Sequence, residues 1–256
     1  MAEGEPGCSP LKVLVGCAGW AISSASGNSF GSIGSHLERY SQIFSAVEIN
    51  SSFYRPHRES TYARWRDTVP EEFRFSVKIP KTITHEFRLE KCDDLLLSFL
   101  QPVSALGHKL GCLLVQLPPS FAYDEEVATK FFHRLRSLTS VPVVCEPRHS
   151  SWFSDAARGR LEAFGIPVVL ADPPPNPLAT GIFSTSLGES FTYLRLHGSP
   201  DIYRSSYDHA QIQHLAALLN KKPAGTTWIV FDNTASGAAI PNALALVKSL
   251  KEPIAL

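Results

Sequence analysis

Large apolar residues alternate with polar or charged ones in the stretch Phe73-Arg74-Phe75-Ser76-Val77-Lys78-Ile79. Alternation of this kind predicts a β-strand with one apolar face and one polar face. Short runs rich in β-branched or aromatic residues recur about every thirty residues along the chain. They lie at Val13–Ala18, Ala46–Asn50, Phe73–Ile79, Cys112–Leu117, Val141–Glu146, Pro167–Asp172, Phe191–His197 and Thr227–Asp232. The sequence therefore predicts eight strands.

Segments with apolar residues at helical spacing follow all but one of these strands. They lie at Ile33–Phe44, Thr61–Thr68, Asp94–Leu106, Glu125–Leu138, Asp155–Phe164, Asp208–Asn220 and Ile240–Leu250. Strands that alternate with helices form parallel βαβ units, and eight such units predict a closed (β/α)8 TIM barrel of the α/β class. An open doubly wound sheet would need a G-x-G-x-x-G turn after the first strand, and the glycines there do not have that spacing.

The length of 256 residues suits one barrel. Residues 1–10, rich in Gly, Pro and Glu, are predicted to be a flexible N-terminal tail, and residues 11–256 to form the barrel domain. The long loops Gly19–Ser32, Pro173–Ser190 and Gly198–Tyr207 follow strands one, six and seven. Such loops lie on the catalytic face of a barrel. They are interpreted equally as lids or as ordinary insertions.

Charge and cysteine content bear on the partners and on the compartment. Lys+Arg and Asp+Glu number 24 each, so the net charge gives no support to non-specific binding of nucleic acid or membranes. The five cysteines include no CxxC pair, which favours a reducing compartment. Neither a secretory signal nor an apolar run of membrane-spanning length is present. The sequence predicts a cytoplasmic protein with no membrane partner, and leaves the oligomeric state open.

Polar residues occupy the inward phase near the ends of the predicted strands, where barrels normally pack apolar side chains. The alternation turns Glu48, Asn50, Ser76, Lys78, Gln116, Glu146, Arg148, Arg195 and His197 inward, and strands six and eight end in Asp172, Asp232 and Asn233. Unpaired buried charge is costly, so the carboxylates must be paired with the cations, with solvent or with a ligand. Two interpretations remain: a self-paired salt-bridge plug, or a ligand site.

Two further features favour a ligand. Trp20, Phe53, Tyr54, Trp152, Tyr203 and Tyr207 follow strands and are candidates to stack on a base or sugar. Small residues follow strands seven and eight, in His197-Gly198-Ser199 and in Asn233-Thr234-Ala235-Ser236-Gly237-Ala238. Backbone N–H groups of such turns often hold phosphate in barrels. A simple tight turn is the other interpretation.

Three kinds of chemistry fit the inward residues. A divalent metal could be held by Glu48, Glu146, Asp172, His149, His197 and Asp232, although nearby cations could already neutralise these carboxylates. In metal-free acid–base catalysis, Glu146 or Glu48 would serve as the base and His197 as the acid, with Arg195 or Lys78 holding an anionic group. Lys78 could instead form a Schiff base, which ranks lower because acidic neighbours would keep it protonated.

Short motifs occur in a fixed order along nearly the whole chain. They are Gly16-Cys17-Ala18-Gly19-Trp20, Val47-Glu48-Ile49-Asn50-Ser51-Ser52-Phe53-Tyr54, Phe75-Ser76-Val77-Lys78, Thr84-His85, Leu114-Val115-Gln116-Leu117-Pro118-Pro119-Ser120-Phe121, Glu146-Pro147-Arg148-His149-Ser150-Ser151-Trp152, Arg195-Leu196-His197-Gly198 and Phe231-Asp232-Asn233-Thr234. Together they resemble the YecE-like family, also called domain of unknown function 72. The resemblance implies a TIM barrel, similar to sugar-isomerase and endonuclease barrels that bind metals, and implies no established reaction. The segment after Trp20 is poorer in aromatic residues than the resemblance leads us to expect.

The sequence thus favours an enzyme, hydrolase-like or isomerase-like, that acts on a phosphorylated or otherwise anionic ligand such as a nucleotide, nucleic acid or sugar phosphate. The alternative is a non-catalytic barrel that binds nucleic acid or a metabolite. The predicted catalytic residues are Glu48, Lys78, Glu146 and His197. The predicted substrate-binding residues are Asn50, Tyr54, Gln116, Arg148, His149, Trp152, Asp172, Arg195, Asp232 and Asn233. The cofactor is left open, with a divalent metal as one candidate.

Overall fold

The computed structural model describes residues 11–177, 179, 181–182, 187, 191–222 and 224–251. The predicted tail, residues 252–256 and part of the predicted loop Pro173–Ser190 lie outside these residues. The strands are β1 (Lys12–Cys17), β2 (Ala46–Ile49), β3 (Arg74–Lys78), β4 (Leu110–Gln116), β5 (Val143–Glu146), β6 (Leu170–Asp172), β7 (Thr192–Leu196) and β8 (Thr226–Phe231). The helices are α1 (His36–Ser41), α2 (Glu59–Thr68), α3 (Asp93–Val103), α4 (Glu125–Leu138), α5 (Asp155–Ala163), α6 (His209–Asn220) and α7 (Ala239–Lys251).

The eight strands form two parallel four-stranded sheets, in the orders β1-β8-β7-β6 and β2-β3-β4-β5. Isolated bridges connect the sheets at two seams, Ala18 to Glu48 and Cys145 to Val168. The arrangement is that of a (β/α)8 TIM barrel whose hydrogen-bond ladder is not continuous around the circle, which confirms the predicted fold class. The predicted elements agree with the observed ones to within about two residues, apart from a shorter α1, an α3 that ends at Val103 and a β6 that begins at Leu170.

Side chains replace ladder hydrogen bonds at the seam between β1 and β2. The Tyr40 hydroxyl accepts a hydrogen bond from the Cys17 amide (2.8 Å) and donates one to the Ala46 carbonyl (3.1 Å). Ser45 Oγ accepts from the Val15 amide (2.9 Å). A Cβ atom on Gly16 would lie 2.0 Å from the Ala46 carbonyl oxygen, so only glycine permits this approach. Buried backbone groups at the seam therefore stay hydrogen-bonded although the strands do not pair.

Helix caps set where two helices begin. Ser35 and Glu38 form a capping box, which places the start of α1 at His36 rather than at the predicted Ile33. Asp124 accepts a hydrogen bond from the Val127 amide and starts α4 at the predicted residue. No helix of the described residues combines the length and the apolarity that crossing a membrane requires.

The barrel interior contains an apolar layer beneath a charged one. The apolar layer consists of Leu14, Ala46, Cys112, Leu114, Val144, Val169, Tyr193, Trp228 and Val230. Outward-facing residues of the same strands, such as Val47, Phe75 and Val115, pack in the main core against the helices. This separation is the predicted strand alternation. It leaves the inward polar side chains stacked at the C-terminal ends of the strands.

Candidate functional site

Five buried side chains from four strands meet at the C-terminal end of the barrel, and we call them the charged ring: Glu48, Glu146, Arg195, His197 and Asp232. Arg195 lies at its centre. Its guanidinium donates to Glu48 Oε1 (2.7 Å) and Oε2 (3.0 Å), to Glu146 Oε2 (2.6 Å) and to Asp232 Oδ2 (2.9 Å). One arginine therefore contacts carboxylates from three strands, and its planar set of donors suits that task.

Tyr193 anchors the ring from below. Its hydroxyl is 2.9 Å from both Glu48 Oε2 and Ser76 Oγ, and its ring stacks on Trp228. Tyr193 was not among the predicted site residues. The strand alternation could have identified Tyr193, because Tyr193, Arg195 and His197 lie on the same face of β7 and of the residues that continue it.

His197 connects two carboxylates of the ring. Its Nδ1 lies 3.0 Å from Asp232 Oδ2, and its Nε2 lies 2.9 Å from Glu146 Oε1. Arg148 Nη2 lies 2.8 Å from the same Nε2 and also donates to Glu146 Oε1. Nε2 accepts from Arg148 only when it lacks a proton, and it donates to Glu146 only when it carries one. The protonation state of Nε2 therefore selects which of the two contacts forms.

The charges of the ring stabilise one another. Burial alone would raise the pKa of Glu146, but the cations of Arg195 and Arg148, together with His197, hold that pKa well below its usual range. Burial likewise opposes ionisation of Asp232, and Arg195 with His197 still lowers its pKa. Burial would lower the pKa of Arg195, and the carboxylates raise it well above its usual value. A carboxylate held ionised and paired in this way is a weak base, so the role of Glu146 as general base stays a prediction that this pairing disfavours.

Lys78, at the end of β3, lies beside the ring without joining it. Its Nζ lies 4.1 Å above the centroid of the Phe53 ring, and the side chain is buried. Within the described part of the chain, Nζ makes no hydrogen bond and has no carboxylate oxygen within 4.0 Å. Burial lowers the pKa of Lys78 to about 8, and the Arg195 cation adds to that shift while the carboxylates of the ring oppose it. The amine is therefore partly neutral near neutral pH.

Three further polar atoms near the ring are buried and lack hydrogen-bond partners among the described residues: Arg148 Nε, Asn50 Oδ1 and Asn233 Oδ1. Gln116, on the intervening β4, uses its amide to donate to the Leu117 carbonyl (2.9 Å). Asn50 follows β2, Lys78 ends β3 and Arg148 follows β5, and these strands belong to one sheet. Three of these four groups, Lys78 included, thus lie on the half of the barrel mouth formed by β2 to β5, and Asn233 lies on the other half, where the ring residues of β7 and β8 are paired.

Several predicted binding residues have structural partners instead. Tyr207 donates to Asp172 Oδ2 (2.7 Å), and the Asn233 amide donates to the Ser205 carbonyl (2.9 Å) and to Asn242 Oδ1 (2.8 Å). His149 Nδ1 accepts from the Ser151 amide at the start of a 3₁₀ turn.

The prediction that Trp152 contacts a ligand needs correction. Its side chain is fully buried, and its Nε1 donates to the Phe121 carbonyl (2.9 Å), so it offers no surface to a ligand. Sequence order placed this loop residue near the mouth but could not show that it packs inward.

Aromatic residues are exposed at the rim of the mouth. Tyr54 is 71% exposed and packs edge-on against Phe53, and Tyr203 lies edge-on against His197. A mainly apolar cavity of about 290 Å³ opens beside this rim and includes Phe53 and Tyr54 in its wall. A larger cavity of about 600 Å³ lies between α3 and α4, away from every predicted site residue. The smaller cavity is therefore the one that bears on the site.

Some backbone amides in and next to the predicted phosphate turns are already hydrogen-bonded. The Gly198 amide donates to the Tyr207 hydroxyl (2.9 Å), and the amides of Ala235, Gly237 and Ala239 donate to backbone carbonyls. These groups stabilise the loops after β7 and β8 and are not available to an anion in this conformation.

The arrangement of donors does not suit a metal ion. The carboxylates that could bind one are turned toward Arg195, and both nitrogens of His197 face carboxylates. Among the described residues, no group of three or more His, Cys, Asp and Glu side chains is arranged to hold a metal. A guanidinium lies where the carboxylates converge, so we derive no step through a metal.

The comparisons with known proteins agree on one family. The family model described as "Protein of unknown function DUF72" matches residues 14–255. The UPF0759 protein YecE of Escherichia coli K12 is 36% identical over 119 residues, which cover 46% of this chain and 43% of that protein. The chain thus matches less than half the length of that relative.

Solved structures extend the match to the whole barrel. A DUF72 family protein from Enterococcus faecalis V583 superposes with a TM-score of 0.77 at 20% identity, covering 94% of this chain and 96% of that one. The D-psicose 3-epimerase of Clostridium cellulolyticum H10, solved with D-tagatose, superposes with a TM-score of 0.50 at 10% identity, covering 84% and 89%. At these identities the likeness shows the fold alone.

Proposed function

Because the chain belongs to the DUF72 family, whose function is unknown, we propose a function from its own residues: the C-terminal face of the barrel binds a small anionic ligand and acts on it. The ligand lies over the half of the mouth formed by β2 to β5. Lys78 is its principal contact, Arg148 is a second cationic donor, and Asn50 Oδ1 accepts a hydrogen bond from a hydroxyl group of the ligand. The unpaired amine of Lys78 is the observation that carries this proposal.

The electrostatics of the mouth support an anion. The carboxylates of the charged ring are already bound by Arg195, so they do not repel a second negative charge as strongly as free carboxylates would. Lys78 is a cation with no ion-pair partner within 4.0 Å among the described residues, although the ring carboxylates attract it from farther away. It lies in a site of low dielectric, where one added charge interacts strongly. A phosphate or carboxylate group would neutralise Lys78 and accept its hydrogen bonds.

In this proposal Lys78 carries out the acid–base chemistry, in place of the predicted pair of Glu146 and His197. An amine whose pKa is about 8 exchanges protons readily near neutral pH, which is the condition for general acid–base catalysis. Glu146 is held ionised and paired, and His197 is fully buried between two carboxylates. In the proposed enzyme the ring is a rigid support, and Lys78 is the catalytic residue.

Ligand-dependent stability tests the anion site. With 2-hydroxyethyl phosphate as the probe, binding to the native state should stabilise the wild type by mass action, by about 2.7 kcal/mol at one hundred times Kd. Lys78→Met should lose this stabilisation. Lys130→Met should keep it, because Lys130 is an exposed residue of α4 paired with Glu126. Equal stabilisation of both variants would contradict the proposal.

The same stability measurement distinguishes the proposed enzyme from the non-catalytic alternative, a barrel that binds nucleic acid. Exposed rim aromatics such as Tyr54 suit base stacking, so a single-stranded oligonucleotide is the second probe. Stabilisation by the oligonucleotide that falls steeply with salt, with none by the small phosphate, would favour a nucleic-acid-binding barrel. No response to either probe would favour a salt-bridge plug without a ligand.

A further inference from the structure

We propose that Lys78 Nζ forms an imine with the carbonyl carbon of a small aldehyde or ketone whose anionic group is bound at the barrel mouth. This inference rests on the proposed function and specifies the substrate class of the same site. The substrate would be a short carbonyl compound that carries a phosphate or a carboxylate. The inference depends on how Lys78 differs from the other buried lysines.

Buried lysines elsewhere in the described chain are hydrogen-bonded by the protein. Lys109 Nζ donates to the carbonyls of Arg66 (2.9 Å) and Val69 (2.8 Å), and Lys222 Nζ donates to Thr192 Oγ1 (2.9 Å). Hydrogen bonds of this kind hold the ammonium form in place. Lys78 Nζ has only the face of Phe53, so its nitrogen is available to an electrophile.

The charged and titratable groups that face Lys78 come from five elements. They are Glu48 on β2, His85 in the π-helix Thr82–Glu86 that follows β3, Glu146 on β5, Arg195 on β7 and Asp232 at the end of β8. The three carboxylates are bound by Arg195, so their attraction for the Lys78 proton is offset by a cation close to them. The expectation that acidic neighbours keep Lys78 protonated is therefore weakened.

His85 is placed to move the protons of the reaction. Its ring packs edge-on against the same Phe53 ring that Lys78 overlies, with 4.9 Å between centroids. Its Nδ1 is hydrogen-bonded to Thr84 Oγ1 (2.8 Å), and burial, together with the Lys78 cation, lowers the pKa of His85. His85 is thus neutral at pH 7 and can accept a proton.

The reaction balances without a co-reactant. The lone pair of neutral Nζ attacks the carbonyl carbon, the C–N bond forms, and the carbonyl π electrons move to oxygen. His85 takes a proton from the nitrogen and delivers it to the oxygen, which gives a neutral carbinolamine. The nitrogen lone pair then expels the hydroxyl, to which His85 transfers the remaining N–H proton, so the C–O bond breaks, water leaves and a neutral C=N bond remains.

The neutral amine is far more abundant at Lys78 than at an ordinary lysine. At pH 7 a lysine with a pKa of 10.4 is about 0.04% neutral, and one with a pKa of about 8 is about 10% neutral. Burial slows access, lower basicity reduces nucleophilicity, and the anionic group of the substrate favours the ammonium form of Lys78, so part of this roughly 250-fold advantage is lost. We expect Lys78 to react about ten-fold faster or more than any exposed lysine.

Borohydride trapping tests the imine. The full chain is mixed with glycolaldehyde phosphate at pH 7, and sodium cyanoborohydride reduces any C=N bond to a stable secondary amine that peptide mass spectrometry locates. We expect the adduct at Lys78, and little at paired Lys109 or at exposed Lys130. Lys78→Arg keeps the charge but cannot form the imine and should lose this adduct. The peptide map of the wild type decides the question even if that variant fails to fold.

The outcomes separate the imine from the anion site. Adducts spread over exposed lysines, with none enriched at Lys78, would overturn the imine. If 2-hydroxyethyl phosphate still stabilised the wild type in that case, the anion site would stand alone. If unphosphorylated glycolaldehyde labelled Lys78 as fast as the phosphate ester, and 2-hydroxyethyl phosphate gave no protection, the imine would stand and the proposed anion site would fail.

Discussion

Arg195 on β7 and Lys78 on β3 are cations buried at the same end of the barrel, and they differ in their partners. Arg195 donates hydrogen bonds to three carboxylates, and its pKa is raised. Lys78 has an aromatic ring and no ion pair among the described residues, and its pKa is lowered. The difference teaches that burial alone does not define a reactive charge. A buried cation with a full set of acceptors is structural, whereas one without them can bind or react.

Removing Arg195 should produce the largest loss of stability. Arg195→Met would leave three buried carboxylates without their common partner, and we expect a loss of about 3–5 kcal/mol in the free energy of unfolding at pH 7. Urea denaturation measures it. Arg134→Met is the matched control, because Arg134 pairs with Asp93 at the surface and should cost less than about 1 kcal/mol. Similar losses in the two variants would mean that the ring contributes no more than a surface ion pair.

Acidification should affect the wild type and Arg195→Met in opposite directions. In the wild type the pKa values of Glu146 and Asp232 are lowered on folding, so the stability they provide is present above the unfolded values near 4 and is lost as pH falls through the folded values. We expect a loss of about 2–3 kcal/mol between pH 6 and pH 3. In Arg195→Met the unpaired carboxylates should have raised pKa values, so protonation should restore stability. The urea midpoints of the wild type and of Arg195→Met are measured across that pH range. If the pairing were unimportant, the two midpoints would change in parallel with pH.

The strand alternation predicted much of the site. A period of two residues places Glu48, Lys78, Glu146 and Arg195 on the inner face whatever the barrel geometry. It could not predict which inward charges meet, because the distance across a barrel depends on strand tilt and stagger. Arg195 therefore ranked as one cation among several, although the structure places it at the centre of the carboxylates.

Loop residues were the least predictable part of the site. Sequence order placed Trp152 and Tyr207 after their strands, but no periodicity fixes where a loop side chain points. Both are buried, Trp152 against Phe121 and Tyr207 against Phe231. The sequence also could not show that Lys78 lacks an ion pair, because this depends on how the neighbouring carboxylates are oriented toward Arg195.

Replacing Lys78 should have a smaller effect and the opposite sign. The folded protein holds the Lys78 ammonium at a cost, so Lys78→Met should raise the free energy of unfolding at pH 7 by about 1–3 kcal/mol. Because the folded pKa of about 8 lies below the unfolded value near 10.4, the wild type gains stability as pH rises between these values. The advantage of Lys78→Met should shrink over that range. Lys130→Met should stay within about 0.5 kcal/mol of the wild type at each pH.

The smallest expected effect concerns the ring beneath Lys78. The face of Phe53 attracts the ammonium, and its removal in Phe53→Leu should lower the pKa of Lys78 further, by about half a unit for an interaction of about 0.5–1 kcal/mol. The pH midpoint of the Lys78 side-chain NMR resonance reports this shift. Tyr54→Leu is the matched control, because the exposed Tyr54 ring contacts Phe53 and not the ammonium. A raised pKa in Phe53→Leu would show that the ring excludes water from Lys78 more than it attracts its charge, and that desolvation by Phe53 sets the reactivity of the amine.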